Sequence, residues 1–221
     1  MSLMSDDLKK QAALAALAEI RDGMVVGLGS GSTASIFIRE LGKAGLKVLG
    51  IPTSEESRRI AEEAGVKLTA LDEHPVIDVT VDGADEVSAG LDLTKGLGGA
   101  LVREKIVAHA SKRVVIIVDE SKLVAKLGMK TVIPVEVIPL AVPLVQLQLK
   151  NAAIRGKAGR PFISDNGNII LDWKSGPIDD PASLERQLKL TTGVVDSGIF
   201  AGVAKLVIVA DSSGIRRLLP S

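Results

Sequence analysis

Short apolar runs alternate with amphipathic segments over the first 130 residues, and turns rich in glycine and polar residues separate them. The apolar runs have the length and the branched side chains of buried strands. They span residues 24–28, 47–51, 76–81 and 113–118. The intervening helical segments span residues 34–41, 54–65 and 99–110. This alternation of strand and helix predicts a parallel sheet with helices on both faces.

A further helix is predicted before the first strand. Ser5 is a residue type that caps helices, and Asp6 and Asp7 suit the positive end of the helix dipole. The helix is expected to stop at Gly23. Its apolar stripe is predicted to consist of Leu8, Leu14, Leu17 and Ala18.

The pattern changes near Thr131. Residues 131–139 contain Pro134 and Pro139, which favours an edge strand because proline cannot donate to a strand ladder. The sequence then predicts a helix, two strands joined by the Asp-Asn-Gly turn at 165–167, a second helix and a short last strand. These elements span residues 140–150, 162–164, 169–172, 181–190 and 194–197. Their order resembles a ferredoxin-like domain.

The apolar run 206–210 is predicted to rejoin the first sheet. The expected fold class is therefore α/β, with a Rossmann-like parallel sheet flanked by helices and a second, smaller ferredoxin-like α+β domain inserted into it. The predicted boundaries are residues 1–130 plus 203–221 for the α/β domain and 131–202 for the small domain.

Composition narrows the possible functions. Lysine and arginine together number 27, as do the acids, so net charge gives no attraction to nucleic acid or to an anionic membrane. No tyrosine, one tryptophan and three phenylalanines leave few rings for base stacking. Cysteine is absent, and the two histidines stand far apart, so neither thiol chemistry nor a zinc site is expected.

Targeting signals are also missing from the sequence. No apolar run reaches the length that crosses a bilayer. The first residues lack the basic and apolar regions of a signal peptide. We therefore expect a cytoplasmic protein with no membrane partner and no nucleic-acid partner.

The first candidate loop, residues 27–33, follows a strand and opens a helix. Glycines let the backbone approach a ligand, and a helix N-terminus offers N–H groups with a positive dipole. Ser32 and Thr33 add hydroxyls, so the loop suits a phosphate monoester, although a plain turn capped by either residue fits equally well. No lysine follows as in a Walker loop, and the next strand carries no acid for a ribose hydroxyl, which argues against NAD.

The second candidate loop places Asp82, Asp85 and Glu86 around a turn at a strand end. Asx-turn chemistry and a divalent metal site are alternatives. Three acids exceed what a turn needs, which favours a functional role.

The third candidate loop sets Lys95 beside glycines and precedes a helix that contains Glu104. A lysine here could stabilise a developing oxyanion. The alternative for Glu104 is a solvated helical carboxylate that pairs with Lys105 or His109.

The fourth loop, residues 119–122, ends in Lys122, which could reach a phosphate; alone it is compatible with an ordinary loop. Ligands of open parallel sheets bind outside the carboxyl ends of the strands. The four loops together therefore predict one anion site with acids for proton transfer.

The chain resembles ribose-5-phosphate isomerase of the A type in segments that occur in the family's order and spacing: GLGSGSTA, PTSEES, DGADEV, KGLGGALVREKIVA, DESK and PVEVIP. The likeness continues through SDNGNIILD and GVVDSGIF and so covers nearly the whole chain. It implies an aldose–ketose isomerase of the non-oxidative pentose phosphate pathway, which interconverts D-ribose 5-phosphate and D-ribulose 5-phosphate through an enediolate without cofactor or metal. It also implies a homodimer or homotetramer, with the small domain as a lid or in oligomerisation.

Carried over by residue, the resemblance implies that Glu104 is the base and that Lys95 stabilises charge on the sugar oxygens. Asp82 and Asp85 would hold the sugar hydroxyls and assist ring opening. The substrate would be bound by Ser30, Gly31, Ser32, Thr33, Gly83, Ala84, Gly96, Leu97, Gly98, Lys122 and Lys9. The family usually has glycine at the position of Leu97, so the leucine side chain is expected to point away from the sugar.

Two other functions remain open at this stage. An amino-sugar-phosphate isomerase/deaminase typically needs a catalytic histidine, and neither His74 nor His109 follows the acid loop suitably. A non-catalytic sugar-phosphate sensor would keep the phosphate loop but would not need Glu104 and Lys95.

Overall fold

A computed structural model describes residues 3–157 and 159–220, without the side chains of residues 3–5 and 157. The α-helices are α1 (Leu3–Ala16), α2 (Ser32–Lys43), α3 (Glu55–Glu63), α4 (Leu101–His109), α5 (Val142–Gln148) and α6 (Pro181–Lys189). Short 3-10 helices span Leu17–Glu19, Glu120–Lys122 and Pro139–Ala141. None of the described helices is both long and apolar enough to cross a membrane.

The strands are β1 (Val25–Leu28), β2 (Leu49–Pro52), β3 (Val79–Asp82), β4 (Glu86–Val87), β5 (Leu93–Thr94), β6 (Val114–Asp119), β7 (Ile133–Val137), β8 (Ala152–Ile154), β9 (Gly156–Lys157), β10 (Arg160–Pro161), β11 (Ile169–Trp173), β12 (Val194–Ser197), β13 (Ile199–Phe200), β14 (Leu206–Asp211) and β15 (Gly214–Leu218).

The chain divides into two compact units. The first contains Met1–Ala84, Arg103–Lys122 and Val203–Ser221. The second contains Asp85–Val102 and Leu123–Gly202.

The first unit contains a six-stranded sheet in the order β15-β14-β6-β3-β1-β2. Its strands are parallel except β15, which forms an antiparallel hairpin with β14. The prediction that residues 206–210 rejoin this sheet is confirmed, because β14 lies beside β6. Strand β15 was not predicted, since Arg216 and Arg217 interrupt its apolar residues.

Helices cover both faces of this sheet, as the sequence predicts. Val26 and Leu28 of β1 pack with α1, α2 and α3 on one face. Val25 faces the other side and packs against Val107 of α4. A Cβ at Gly27 would lie 1.8 Å from Thr80 Oγ1 and 2.7 Å from Val107 Cγ1, so glycine lets α4 lie close to the sheet. Burying a valine such as Val107 stabilises the fold by roughly 1.5–3 kcal/mol.

The buried face of α1 differs from the prediction. Helix α1 begins at Leu3, so Ser5 lies inside the helix and is not its cap. Leu14 and Ala18 are exposed. The fully buried positions are Ala12, Ala13 and Ala16. Small side chains on this face let α1 pack closely against α2 and the sheet, which a search for a leucine stripe does not detect.

The second unit contains an antiparallel sheet in the order β12-β7-β11-β8. Helix α5 follows β7, and α6 precedes β12, so the predicted ferredoxin-like order is confirmed. Its core includes Val135, Val145, Leu171 and Leu188. The unit also contains a hairpin of β9 and β10 and a sheet in the order β13-β5-β4.

The prediction of an edge strand at 131–139 is wrong, because β7 lies between β12 and β11. The pairing of β7 with β12 runs from Val137 back to Val135, and Val135 lies opposite Ser197 at the end of this ladder. Pro134 lies beyond that pair, and its carbonyl accepts a hydrogen bond from Gly198 N at 2.7 Å. The nitrogen and oxygen of a strand residue point to the same side, so the missing N–H falls outside both ladders.

The turn at residues 165–167 forms, but its predicted hairpin does not. Ser164 N donates to Asn168 O at 2.9 Å, and Gly167 has a φ of +80°. Residues 162–164 contribute only an isolated bridge, between Ile163 and Ile169. On the side of β11 away from β7, the strand that pairs with it over three residues is β8, which the sequence did not predict.

Candidate active site

In the first unit, Asp82 connects two of the predicted loops. Strands β1 and β3 are parallel neighbours, so their carboxyl ends lie at one edge of the sheet. Asp82 is 2% exposed, and its Oδ1 accepts hydrogen bonds from Ser30 N at 3.1 Å and Gly83 N at 2.7 Å. A Cβ at Gly29 would lie 2.1 Å from that same oxygen, so only glycine allows this approach.

The hydroxyl of Ser30 lies in a network that the sequence did not predict. Its Oγ is 2.8 Å from Thr53 Oγ1 and 2.7 Å from Ser54 Oγ. Ser54 is also the N-cap of α3, where its side chain accepts from Ser57 N at 3.0 Å. The segment after β2 therefore fixes the loop after β1.

The start of α2 is not capped by a side chain. The N-cap is Gly31, with a φ of +93° that favours glycine, and no side-chain cap hydrogen bond is formed. Ser32 and Thr33 lie in the first helical turn, so the alternative of a turn capped by either residue is wrong. The backbone N–H groups of this turn remain suited to an anion.

Glu104 lies in the first turn of α4 and is 4% exposed. The alternative of a solvated helical carboxylate is therefore wrong. Its neighbour Arg103 forms an ion pair of 2.7 Å with Glu55 in the first turn of α3. The Arg103 hydrogen bond holds the pKa of Glu55 below its ordinary value. His109 is exposed at the far end of α4.

Two further lysines of the first unit were predicted to bind the substrate. Lys122 is half-buried in the turn after β6, which Asp119 fixes by accepting from Ser121 N at 2.9 Å. Lys9 is 5% exposed and pairs with Asp6 at 3.3 Å. Within the described part of the chain, neither lysine donates a hydrogen bond to the loops around Ser30 and Asp82, so their roles stay predictions.

The second unit brings together Asp85 and the loop at residues 95–99. Asp85 Oδ2 accepts from Leu97 N at 3.0 Å. Lys95 is 4% exposed, its backbone N donates to Gly198 O at 2.8 Å, and its Nζ lies 5.6 Å from the centre of the Phe200 ring.

The Leu97 side chain, at the position that departs from the family pattern, is 43% exposed. Gly98 beside it is also exposed, whereas Gly96 and Gly99 are buried.

Glu86, the third acid of the second loop, has a structural role. Its side chain is fully buried and accepts from the backbone N of Gly128 at 2.6 Å, Lys130 at 2.5 Å and Thr131 at 2.8 Å. The number of acids at this strand end was therefore a poor argument for catalysis. Among the described residues, no group of three or more His, Asp or Glu is placed to hold a metal ion.

Arg155 is the residue near these loops that sequence reasoning missed. Its Nη1 donates to Gly96 O at 2.8 Å and to Leu97 O at 2.9 Å. No sequence signal identified it, because it lies 58 residues from Leu97 in a short connection between strands β8 and β9.

The parallel α/β sheet of the first unit, with a glycine-containing loop that opens a helix at the strand ends, is a feature of enzymes that bind phosphorylated substrates. The family described as ribose 5-phosphate isomerase A (phosphoriboisomerase A) matches residues 49–214. A curated relative named ribose-5-phosphate isomerase A, from Gloeobacter violaceus, is 49% identical and covers 98% of this chain and 97% of its own. Another protein named ribose-5-phosphate isomerase A, from Methanothermobacter thermautotrophicus, is 50% identical; the match covers 96% of this chain and 97% of the relative.

Solved structures agree with this assignment. A D-ribose-5-phosphate isomerase in complex with phospho-erythronic acid superposes with a TM-score of 0.94 at 40% identity, covering 99% of this chain and 100% of that one. Ribose 5-phosphate isomerase A from Methanocaldococcus jannaschii superposes with a TM-score of 0.92 at 45% identity, covering 97% of this chain and 99% of that one. The chain belongs to the ribose-5-phosphate isomerase A family, which confirms the resemblance predicted from its motifs.

Proposed function

We propose that this protein interconverts D-ribose 5-phosphate and D-ribulose 5-phosphate, a step of the pentose phosphate pathway, with Glu104 as the base. The observation that carries the proposal is the burial of Glu104, which is 4% exposed. Removing an ionised carboxylate from water costs several kcal/mol even after relaxation. Burial alone does not make a glutamate catalytic, as Glu86 shows, but Glu104 also stands at the position that the family resemblance assigns to the base.

Isomerisation requires one base that removes and returns a proton. Glu104 takes the proton from C2 of the open-chain aldose, the C–H electron pair forms the C1–C2 double bond, and the carbonyl oxygen becomes an oxyanion. The hydroxyl proton on O2 transfers to the O1 oxyanion, and return of the carbon-bound proton to C1 leaves the carbonyl at C2. A positioned base of this kind contributes about 10²- to 10⁴-fold to the rate.

The negative charge of the enediolate needs a cation, and Lys95 is the residue that we assign to it. A buried ammonium acts more strongly than one in water, because little solvent screens it. Asp82 and Asp85 hold the sugar hydroxyls and assist ring opening. Backbone N–H groups fix one oxygen of each, through Ser30 and Gly83 for Asp82 and through Leu97 for Asp85.

The phosphate is the remote handle whose binding energy positions the reacting carbons. We assign it to the first turn of α2, where the N-cap Gly31 forms no side-chain cap hydrogen bond. The residues assigned to substrate binding are Ser30, Gly31, Ser32, Thr33, Gly83, Ala84, Gly96, Leu97, Gly98, Lys122 and Lys9.

The other two candidate functions are less well supported. A sugar-phosphate sensor has no use for a buried Glu104. A deaminase would need a histidine in the site, and His109 is exposed at the end of α4. No cofactor and no metal enter the proposed reaction.

The test follows conversion of ribose 5-phosphate to ribulose 5-phosphate in the presence of a chelator, for the wild type and for Glu104→Gln. We expect the variant to bind inorganic phosphate normally and to lose turnover by at least about 10²-fold. Glu56→Gln, at an exposed position in the first turn of α3, is the matched control. Near-normal turnover of Glu104→Gln would remove Glu104 from its role.

We also propose that the chain forms a homodimer or homotetramer. The second unit exposes apolar side chains that the monomer leaves in water, among them Leu140 at 92%, Leu147 at 79% and Leu190 at 85%. Large apolar side chains that are this exposed are typical of association sites when they cluster, so we propose that these leucines contribute to one. The double variant Leu140→Lys with Leu147→Lys should then have a lower molecular mass by light scattering than the wild type. An unchanged mass would contradict the proposal that these leucines lie in the subunit interface.

A cytoplasmic location fits a pentose phosphate substrate and stays a prediction. The lid or oligomerisation role of residues 131–202 and their boundaries also stay predictions.

A further inference from the structure

We propose that Arg155 is a positioning residue for the isomerisation, acting by holding the loop that carries Lys95. This inference rests on the proposed function. It concerns a residue of the second unit that the sequence comparison with the family did not single out.

Arg155 forms its contacts with all parts of its guanidinium group. Nη1 donates to the carbonyl oxygens of Gly96 and Leu97, at 2.8 and 2.9 Å. Nε and Nη2 donate to the carboxylate of Asp172, with Nε–O distances of 3.1 and 3.2 Å and an Nη2–O distance of 2.5 Å. The Arg155 side chain is 13% exposed. Such a fixed fork cannot be reproduced by the single ammonium of a lysine.

The backbone of Arg155 is also fixed. Its N donates to Ile170 O at 2.8 Å, and its O accepts from Phe162 N at 2.7 Å. Asp172 belongs to β11, a central strand of the ferredoxin-like sheet. The guanidinium therefore connects the 95–99 loop to a central strand of this sheet.

A trans peptide places its C=O and N–H on opposite sides. With Gly96 O bonded to Arg155, the N–H of Leu97 points away from the guanidinium, and Asp85 Oδ2 accepts it at 3.0 Å. Arg155 and Asp85 thus hold one peptide from its two sides. By the same geometry, the bond from Arg155 to Leu97 O turns the N–H of Gly98 away from the guanidinium.

Phe162 provides a second contact from the same part of the chain. A Cβ at Gly99 would lie 2.5 Å from two carbons of the Phe162 ring, so the ring packs directly on the loop's backbone. Arg155 therefore holds the start of the loop after Lys95, at Gly96 and Leu97, and Phe162 packs against its end at Gly99.

This arrangement matters for the chemistry because Lys95 directly precedes the clamped peptide. Charge stabilisation of an enediolate depends on cations and donors that are already in place when the charge forms. A misplacement of about 1 Å can cost about 10²-fold in rate. The phosphate handle is assigned to other loops, so loosening this one should affect turnover more than substrate affinity.

The experiment measures kcat and KM for ribose 5-phosphate in the wild type and in Arg155→Met, Arg155→Lys and Arg155→Ala. We expect Arg155→Met and Arg155→Lys to lower kcat by about 10²-fold while KM changes by less than about threefold. Arg160→Ala, an exposed arginine of β10, is the matched control and should retain wild-type kcat.

Chemical rescue separates positioning from a loss of folded protein. Added guanidinium ion, at millimolar concentration, should restore part of the kcat of Arg155→Ala, whereas methylammonium should not, because only the planar ion bonds two carbonyls and Asp172 together.

The inference is overturned if Arg155→Met keeps kcat within about twofold of the wild type. It is also overturned if Arg155→Ala shows no guanidinium rescue. A wild type that does not convert ribose 5-phosphate is a different result, since it contradicts the proposed function itself.

Discussion

Asp82 and Ser30, 52 residues apart in the chain, are joined by a hydrogen bond of 3.1 Å from Ser30 N to Asp82 Oδ1. The Asp82 carboxylate therefore has two proposed roles: it holds the loop proposed to bind the phosphate, and it is one of the proposed catalytic acids. This double role predicts different results for two substitutions at one position.

Asp82→Ala removes the acceptor of two backbone N–H groups, those of Ser30 and Gly83. Leaving buried donors without an acceptor costs about 1–3 kcal/mol each. We expect a lower free energy of unfolding, a higher KM and a lower kcat. Asp82→Asn keeps an oxygen for these donors but loses the charge, so it should lower kcat with a smaller change in stability. Urea unfolding and steady-state kinetics check both, and equal loss of stability in the two variants would contradict the structural role.

Ser54 is predicted to affect both stability and substrate binding. It caps α3 through Ser57 N and bonds the hydroxyl of Ser30. Ser54→Ala should lower the free energy of unfolding by about 0.5–2 kcal/mol, the usual effect of losing such a cap. It should also raise KM, because the Ser30 loop loses a support.

Asp180 provides the control for Ser54. It caps α6 by accepting from Ser183 N at 2.9 Å, and no function is assigned to it. Asp180→Ala should cost a comparable amount of stability and leave KM unchanged. If both variants raise KM equally, the effect of Ser54 on the phosphate loop is not specific.

Glu86 is expected to matter for folding and not for chemistry. Its carboxylate accepts three backbone N–H groups, from Gly128, Lys130 and Thr131. Hydrogen bonds to a charged group contribute about 1.5–3 kcal/mol each, so Glu86→Ala should cost at least about 3 kcal/mol. Differential scanning calorimetry measures this loss. At a temperature where the variant is still folded, kcat should remain near the wild-type value, and a kcat loss of about 10²-fold would instead make Glu86 catalytic.

The sequence predicted the parallel sheet well because its strands, such as Val114–Asp119, are buried on both faces and have no polar interruption. It predicted β7 poorly because the tolerance of Pro134 depends on where β12 ends, which is a tertiary fact. It also missed α1's alanine face, since small residues give a weak apolar signal.

The candidate site shows the same division. Motifs identified Asp82, Lys95 and Glu104, whose residue types suggest chemistry. They could not assign Glu86 to a backbone loop 42 residues away, nor connect Arg155 to Leu97, because those contacts arise only from the fold.

Acid conditions should reveal the stabilising role of Asp211 in the β14–β15 hairpin. The Ser213 hydroxyl, the Ser213 N–H and Arg216 lower the pKa of Asp211 to about 2, from an ordinary value of 3.8. Between these two values the unfolded chain binds the proton more readily than the folded one. The contribution of Asp211 to stability is therefore complete above about pH 4 and is lost as the pH falls towards 2.

Asp211→Asn removes this dependence. The difference between wild type and variant in urea midpoint should be largest at pH 7 and 5, and it should shrink between pH 4 and 2. Asp7→Asn makes the same change of charge at an exposed position and serves as the control. A gap that stays constant down to pH 2 would mean that the hairpin contacts of Asp211 do not favour its ionised form, because a protonated carboxyl would then be equally well accommodated by Ser213 and Arg216.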